Sequence, residues 1–276
     1  MKRSQVKKLI LTSLLVFFLV LMLVSGYFVY DILSEYAAEE EASDELQQFI
    51  HLDETQPPVI ATEPPKMEVE AEEETEGAME ETEPAPTEDP YPYPVVDFDA
   101  LLETNEDVIG WIYIEGTKIN YPIVQTVNNS YYVERMVNGQ RNAAGSIFMD
   151  YRNESNFTDR NSILYGHNMK NGSMFAGILD YRKPSFFEEH PEVIILTPER
   201  NFRYEVVAGY VCSPLENAWR LSFATDAEFA NWLTEALNRS VIGGSFEASG
   251  TDQILTLSTC TYEFQDARFV LVCRLI

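Results

Sequence analysis

Three side chains in this 276-residue chain have the chemistry of acyl transfer: the Cys260 thiol, the His167 imidazole and the Arg268 guanidinium. A thiolate attacks a carbonyl, an imidazole carries protons to and from the reacting amine, and a guanidinium stabilises the developing oxyanion. Cys260 ends the run Thr-Leu-Ser-Thr-Cys (Thr256 to Cys260), Arg268 follows eight residues later, and His167 sits in Tyr-Gly-His-Asn-Met (Tyr165 to Met169). The other candidates are weaker. With three cysteines at least one thiol is unpaired, but Cys212 and Cys273 lie in apolar runs, where cysteine behaves as a small buried hydrophobe. His51 falls in an acidic segment and His190 in Glu-Glu-His-Pro-Glu. No Cys-x-x-Cys or comparable spacing provides zinc ligands, so neither a metal nor a cofactor is expected.

The elements that must position these groups are short and β-rich. Residues 253–260 and 268–275 read as strands around a seven-residue connection, and an antiparallel hairpin would fold Cys260 back toward Arg268. Alternation puts Arg268 on one face with Val270, Val272 and Arg274, and turns Cys273 to the other. Further strands are predicted at 108–114, 119–124, 146–149, 162–165, 193–197 and 204–211. Helices are predicted at 98–104 behind an Asp97 cap, as a turn or two at 129–136, over 173–181, at 184–189, and after Thr225, where a capping box precedes Phe229, Trp232, Leu233, Ala236 and Leu237 on one face. Many short strands without regular β-α alternation predict a mainly antiparallel sheet or barrel.

Composition divides the chain into zones. Residues 1–8 carry Lys2, Arg3, Lys7 and Lys8, and Leu9 to Tyr30 has no charged side chain, enough as a helix to cross a hydrocarbon core of ~30 Å. The stretch exceeds a signal-peptide core and no small-x-small cleavage site follows, so residues 9–30 are read as an uncleaved transmembrane anchor, with the basic end cytoplasmic and the remainder extracellular. Residues 31–94 hold 21 acidic residues, one basic residue and nine of the 14 prolines. That composition predicts a disordered, self-repelling spacer, its first residues, 31–50, able to extend the membrane helix by a few turns. No Asp-x-Asp-x-Asp-Gly loop organises these carboxylates for calcium. Residues 95–276, with 24 acidic and 14 basic residues, form the folded domain; its acidic balance excludes a nucleic-acid partner.

Thr256-Leu-Ser-Thr-Cys260, with Arg268 opening the last strand, resembles the signature of the sortases, specifically class B. Val108-Ile-Gly-Trp-Ile112, Ile119-Asn-Tyr-Pro-Ile123, Gly145-Ser-Ile-Phe-Met-Asp150 and Tyr165-Gly-His-Asn-Met-Lys170 resemble class B segments in the same order. The resemblance covers essentially 97–276. It implies an eight-stranded β-barrel with extra helices, and a chain without a second span before Ile276 suits class B rather than the pilin-building class.

The resemblance also implies a reaction. Cys260 would attack the carbonyl after the threonine of a sorting motif on a secreted protein, leaving a thioacyl enzyme. His167 would serve the leaving and incoming amines, and Arg268 the oxyanion. The acceptor would be an amine of a cell-wall precursor or of another protein, such as a pilin lysine. Ser258, two residues before Cys260 on the same strand face, is a candidate substrate contact, as are Asn129 and Val133 by a loose match to a class B helix. Tyr262 departs from the small or acidic residue expected beside the loop. The competing readings are a thiol protease, which would use water as acceptor, and a non-catalytic surface binding module.

Overall fold

The structure, a computed structural model, describes residues 3–51, 92–243 and 246–276. The chain opens with a single long helix, α1 (Arg3–Gln47), whose apolar part is long enough by length and composition to cross a membrane and has none of its surface buried. A two-stranded antiparallel ribbon follows, β1 (Ile50–His51) with β2 (Val95–Val96), and then α2 (Phe98–Thr104). The α2 cap is as expected: the Asp97 carboxylate accepts from the Ala100 amide at 3.0 Å.

Eight strands close a barrel: β3 (Val108–Tyr113), β4 (Asn120–Val124), β5 (Ile147–Met149), β6 (Asn161–Tyr165), β7 (Glu192–Leu196), β8 (Asn201–Cys212), β9 (Ile254–Cys260) and β10 (Arg268–Leu275). The order around the barrel is β10-β8-β7-β3-β4-β5-β6-β9, with β9 returning to β10. Six pairings are antiparallel; β4–β5 and β6–β9 are parallel. β8 is longer than its sequence suggests, because pairing with β7 from Leu196↔Asn201 onward recruits polar residues that have no strand pattern of their own.

Both faces of the strands are covered, so they read as continuous apolar runs rather than as alternation. Ile112, Leu164, Leu255, Leu257, Phe269 and Leu271 fill the interior. Outside, α3 (Pro184–Glu189) adds one short turn, and α4 (Asp226–Asn238) lays Phe229, Trp232, Leu233 and Ala236 over Val270 and Val272. The Thr225 hydroxyl caps α4 by accepting from the Glu228 amide. The predicted helices at 129–136 and 173–181 are 3₁₀ turns, Tyr132–Glu134 and Phe175–Arg182.

α1 changes the expected spacer. Residues 31–47 are helical, and Glu35, Tyr36, Glu39, Ala42, Ser43, Leu46 and Gln47 form one half-buried or buried stripe against the barrel. Spacings of three and four residues supply a docking face that the acidic composition conceals. Residues 52–91, the remainder of that expected spacer up to β2, lie outside the described residues.

Candidate active site

Cys260 and Arg268 are brought together by local pairing. They are direct partners across the β9–β10 hairpin. Arg268 Nη1 donates to the Asp266 and Ala267 carbonyls at 3.0 and 3.1 Å, which ties the guanidinium back to its own loop. On its other side Arg268 faces Cys212 across β8, but that thiol is buried, and burial pushes its pKa up to about 12. Cys273 points into the barrel core, where burial also raises its pKa. Of the three free thiols only Cys260 reaches solvent.

His167 arrives from a distant strand. Parallel pairing of β6 with β9 sets Tyr165 opposite Ser258. Beyond the strand end the Gly166 amide donates to the Ser258 carbonyl at 3.2 Å, the Thr259 hydroxyl to the Gly166 carbonyl at 2.7 Å, and Asn168 Nδ2 to the Cys260 carbonyl at 3.0 Å. His167 is therefore flanked on both sides by residues bonded to the Cys260 segment. Its Nε2 lies 2.8 Å from the Val133 carbonyl. A carbonyl only accepts, so Nε2 carries a hydrogen and Nδ1 is the nitrogen left for proton exchange.

Gly145 protects that acceptor. It has φ +61°, and a Cβ there would stand 2.5 Å from the Val133 oxygen and 2.6 Å from that of Tyr132. We expect Gly145→Ala to cost about 1–3 kcal/mol in denaturant unfolding, from left-handed strain, and to lower turnover by displacing the carbonyl that orients His167. Unchanged turnover in the folded variant would show that Val133 does not hold the ring.

Arg268 also lines a groove of about 600 Å³ with Arg152, Tyr165, Glu216, Trp219 and Arg220 among others; Cys260 and His167 are not in its lining. Arg220 pairs with Glu228, and Glu216 with Arg239. The Trp219 indole N–H and the Ser258 hydroxyl are buried with no hydrogen-bond partner among the described residues. Such groups cost stability unless something satisfies them. Asn129 is separate: its Oδ1 accepts from the Tyr151 amide at 2.9 Å, pinning the loop after β4. Among the described residues no group of three or more His, Cys, Asp or Glu side chains is arranged to hold a metal ion.

A family model described as the Sortase domain matches residues 112–276. Sortase B of Listeria monocytogenes is 36% identical over 178 residues, 64% of this chain and 72% of that protein; sortase B of Staphylococcus aureus is 34% identical over 181 residues, 65% and 74%. Among solved structures, a Staphylococcus aureus sortase B–substrate complex superposes with a TM-score of 0.62 at 34% identity, covering 65% of this chain and 84% of that one. Clostridium perfringens sortase B gives 0.61 at 32% identity, covering 65% and 99%. The chain belongs to the sortase family, class B. It is a cysteine transpeptidase, built on the eight-stranded barrel of that class.

In this sortase one cluster escaped the sequence reading. Asp150, fully buried at the end of β5, accepts from the Arg152 amide at 3.0 Å, from Arg152 Nε and Nη2 at 2.8 and 2.7 Å, and from the Tyr165 hydroxyl at 2.9 Å. Burial works to raise the Asp150 pKa, but the bonds from Arg152 and Tyr165 together hold it below the usual carboxylate range. Its charge is thus kept to lower pH in the folded than in the unfolded chain. The stability this brings is present above the ordinary carboxylate range and is lost as acid protonates the group. The cluster fixes Arg152 and Tyr165 as one wall of the groove. The only signal for it was a charged residue closing an apolar strand with an arginine two residues on.

Proposed function

We propose that this sortase cleaves a sorting motif on secreted proteins through a thioacyl intermediate on Cys260 and passes the acyl group to an amine of the cell wall or of another protein. The observation that supports the reading is that β10 pairs Arg268 with Cys260, while Gly166 and Asn168, on either side of His167, are hydrogen-bonded to the Ser258–Cys260 segment. In the first half-reaction Cys260 sulfur adds to the scissile carbonyl, Arg268 donates to the oxyanion, and the carbon–nitrogen bond breaks as His167 protonates the departing amine. In the second, an incoming amine loses its proton to His167, attacks the thioester and expels the thiolate. The Ser258 hydroxyl and the Trp219 indole N–H are buried without partners, so they would meet the sorting peptide only where its binding opens the groove, and Val133 serves through its carbonyl. Asn129 acts on the peptide through the loop it pins, which leads to Val133. One related sortase B has been solved as a substrate complex and another structure holds triglycine, which supports peptide and amine as the two classes of ligand.

The apolar part of α1 anchors the protein as a single span, residues 1–8 cytoplasmic and the catalytic domain, 95–276, outside the cell. The positive-inside balance and the span's exposed apolar surface support this placement. A peptide-library cleavage assay with and without an added amine tests the reaction. Motif-selective cleavage with the product diverted to the amine is expected, and cleavage indifferent to amine would make the enzyme a thiol protease. Arg268→Ala is expected to lower the acylation rate about 10²–10³-fold, the usual effect of losing one oxyanion donor, with Arg268→Lys recovering part of it. An undiminished rate would remove Arg268 from the mechanism.

A further inference from the structure

Beyond its apolar span, α1 is fastened to the barrel by hydrogen bonds at three levels. Asn142 Nδ2 donates to the Glu35 carbonyl at 2.8 Å, Asn171 Nδ2 donates to the Glu39 carboxylate at 3.1 Å, and Gln47 and Asn120 exchange two bonds of 3.0 and 2.6 Å. Glu39 is only 4% exposed, a depth at which a carboxylate requires a partner, so this docking is specific rather than incidental. His167 is linked to the first level through a neighbouring carbonyl and to the second by nearness along the chain. The Asn142 amide bonds the Glu134 carbonyl, next to the Val133 carbonyl that holds the imidazole, and Asn171 comes four residues after His167. At 1.5 Å rise per residue, Glu35 and Glu39 lie only about 8 and 14 Å beyond Tyr30, the last residue of the apolar span. The segment between β1 and β2 adds nothing to this separation. Ile50 pairs with Val96 and His51 with Val95, so the acidic segment begins and ends at one place on the domain.

We propose that α1 is a rigid mount that holds the His167 side of the barrel against the membrane–water interface on the outer side, and that this helix sets the separation between membrane and enzyme. This rests on the anchor reading above. The partner surface is the lipid headgroup layer. The segment next to Asn142 offers it exposed Tyr131, with the half-buried Arg135 guanidinium 4.8 Å over its ring, and exposed Arg141, two cations against the one exposed carboxylate of Glu134, a balance that favours phosphate-bearing headgroups. The acceptor amines within reach are those carried close to the membrane.

The test uses the full chain with Cys260→Ala and Gln140→Cys, labelled with a fluorophore at position 140 and reconstituted into phosphatidylcholine–phosphatidylglycerol vesicles containing headgroup-nitroxide lipids. Quenching of the label is expected. It should persist when residues 54–91 are deleted and be lost when a flexible Gly-Ser insert separates Ser34 from Glu35. An unquenched label on protein that floats with the vesicles, or quenching that depends on residues 54–91, overturns the mount alone. Protein that does not float overturns the anchor and the mount together.

Discussion

Cys260→Ala is expected to abolish both thioacyl formation and transfer, a loss exceeding about 10⁴-fold, because removing the nucleophile of the proposed covalent mechanism leaves only binding and oxyanion stabilisation. The substitution removes one sulfur from a half-exposed strand end, so the fold survives it and the defect is chemical. Mass spectrometry after treatment with a thiol-reactive sorting peptide checks this directly. One adduct forms on the native chain, located at Cys260, and none on the variant. Labelling stays off Cys212 and Cys273, because burial both blocks access and raises their pKa values, keeping them protonated. Retained peptide cleavage by the alanine variant would take Cys260 out of the reaction.

His167→Ala comes next, with an expected loss of about 10²–10⁴-fold, the usual share of a positioned acid–base group. The geometry makes a sharper statement than the magnitude. With Nε2 committed to the Val133 carbonyl, one nitrogen, Nδ1, must serve the leaving amine in acylation and the incoming amine in transfer. Single-turnover measurements of the two half-reactions should therefore both slow in the variant. A defect confined to one of them would mean that a second group handles the other proton. Gly145→Ala acts on the same ring from behind, and its effect should be smaller than that of removing the imidazole.

One side-chain and one backbone hydrogen bond pin the connection between Cys260 and Arg268. Arg182 reaches Glu263 at 2.5 Å in the β9–β10 connection, and the Thr261 amide donates to the Ala267 carbonyl at 3.0 Å. Tyr262 is 77% exposed on that connection, so its departure from the expected small or acidic residue alters the rim of the site and leaves the core untouched.

Whatever depends on near neighbours along the chain could be read from residue order. Strand alternation and a seven-residue connection are enough to set Arg268 against Cys260 and to turn Cys273 inward, because a hairpin's register follows from local geometry. The α2 and α4 caps and the apolar span were legible for the same reason. Contacts between distant segments had to wait for the folded barrel. Nothing in Tyr165 to Met169 announces that β6 will lie parallel to β9, roughly ninety residues on, yet that pairing brings Gly166 and Asn168, the neighbours of His167, onto the Ser258–Cys260 segment. Nor does the acidic stretch after Tyr30 announce a docking face, since Glu35, Glu39 and Gln47 acquire that role only from Asn142, Asn171 and Asn120. The buried Asp150 with Arg152 and Tyr165 is of the same kind. Long-range pairing and polar burial are settled by the closure of the whole barrel, where each strand is chosen by what both its faces must cover.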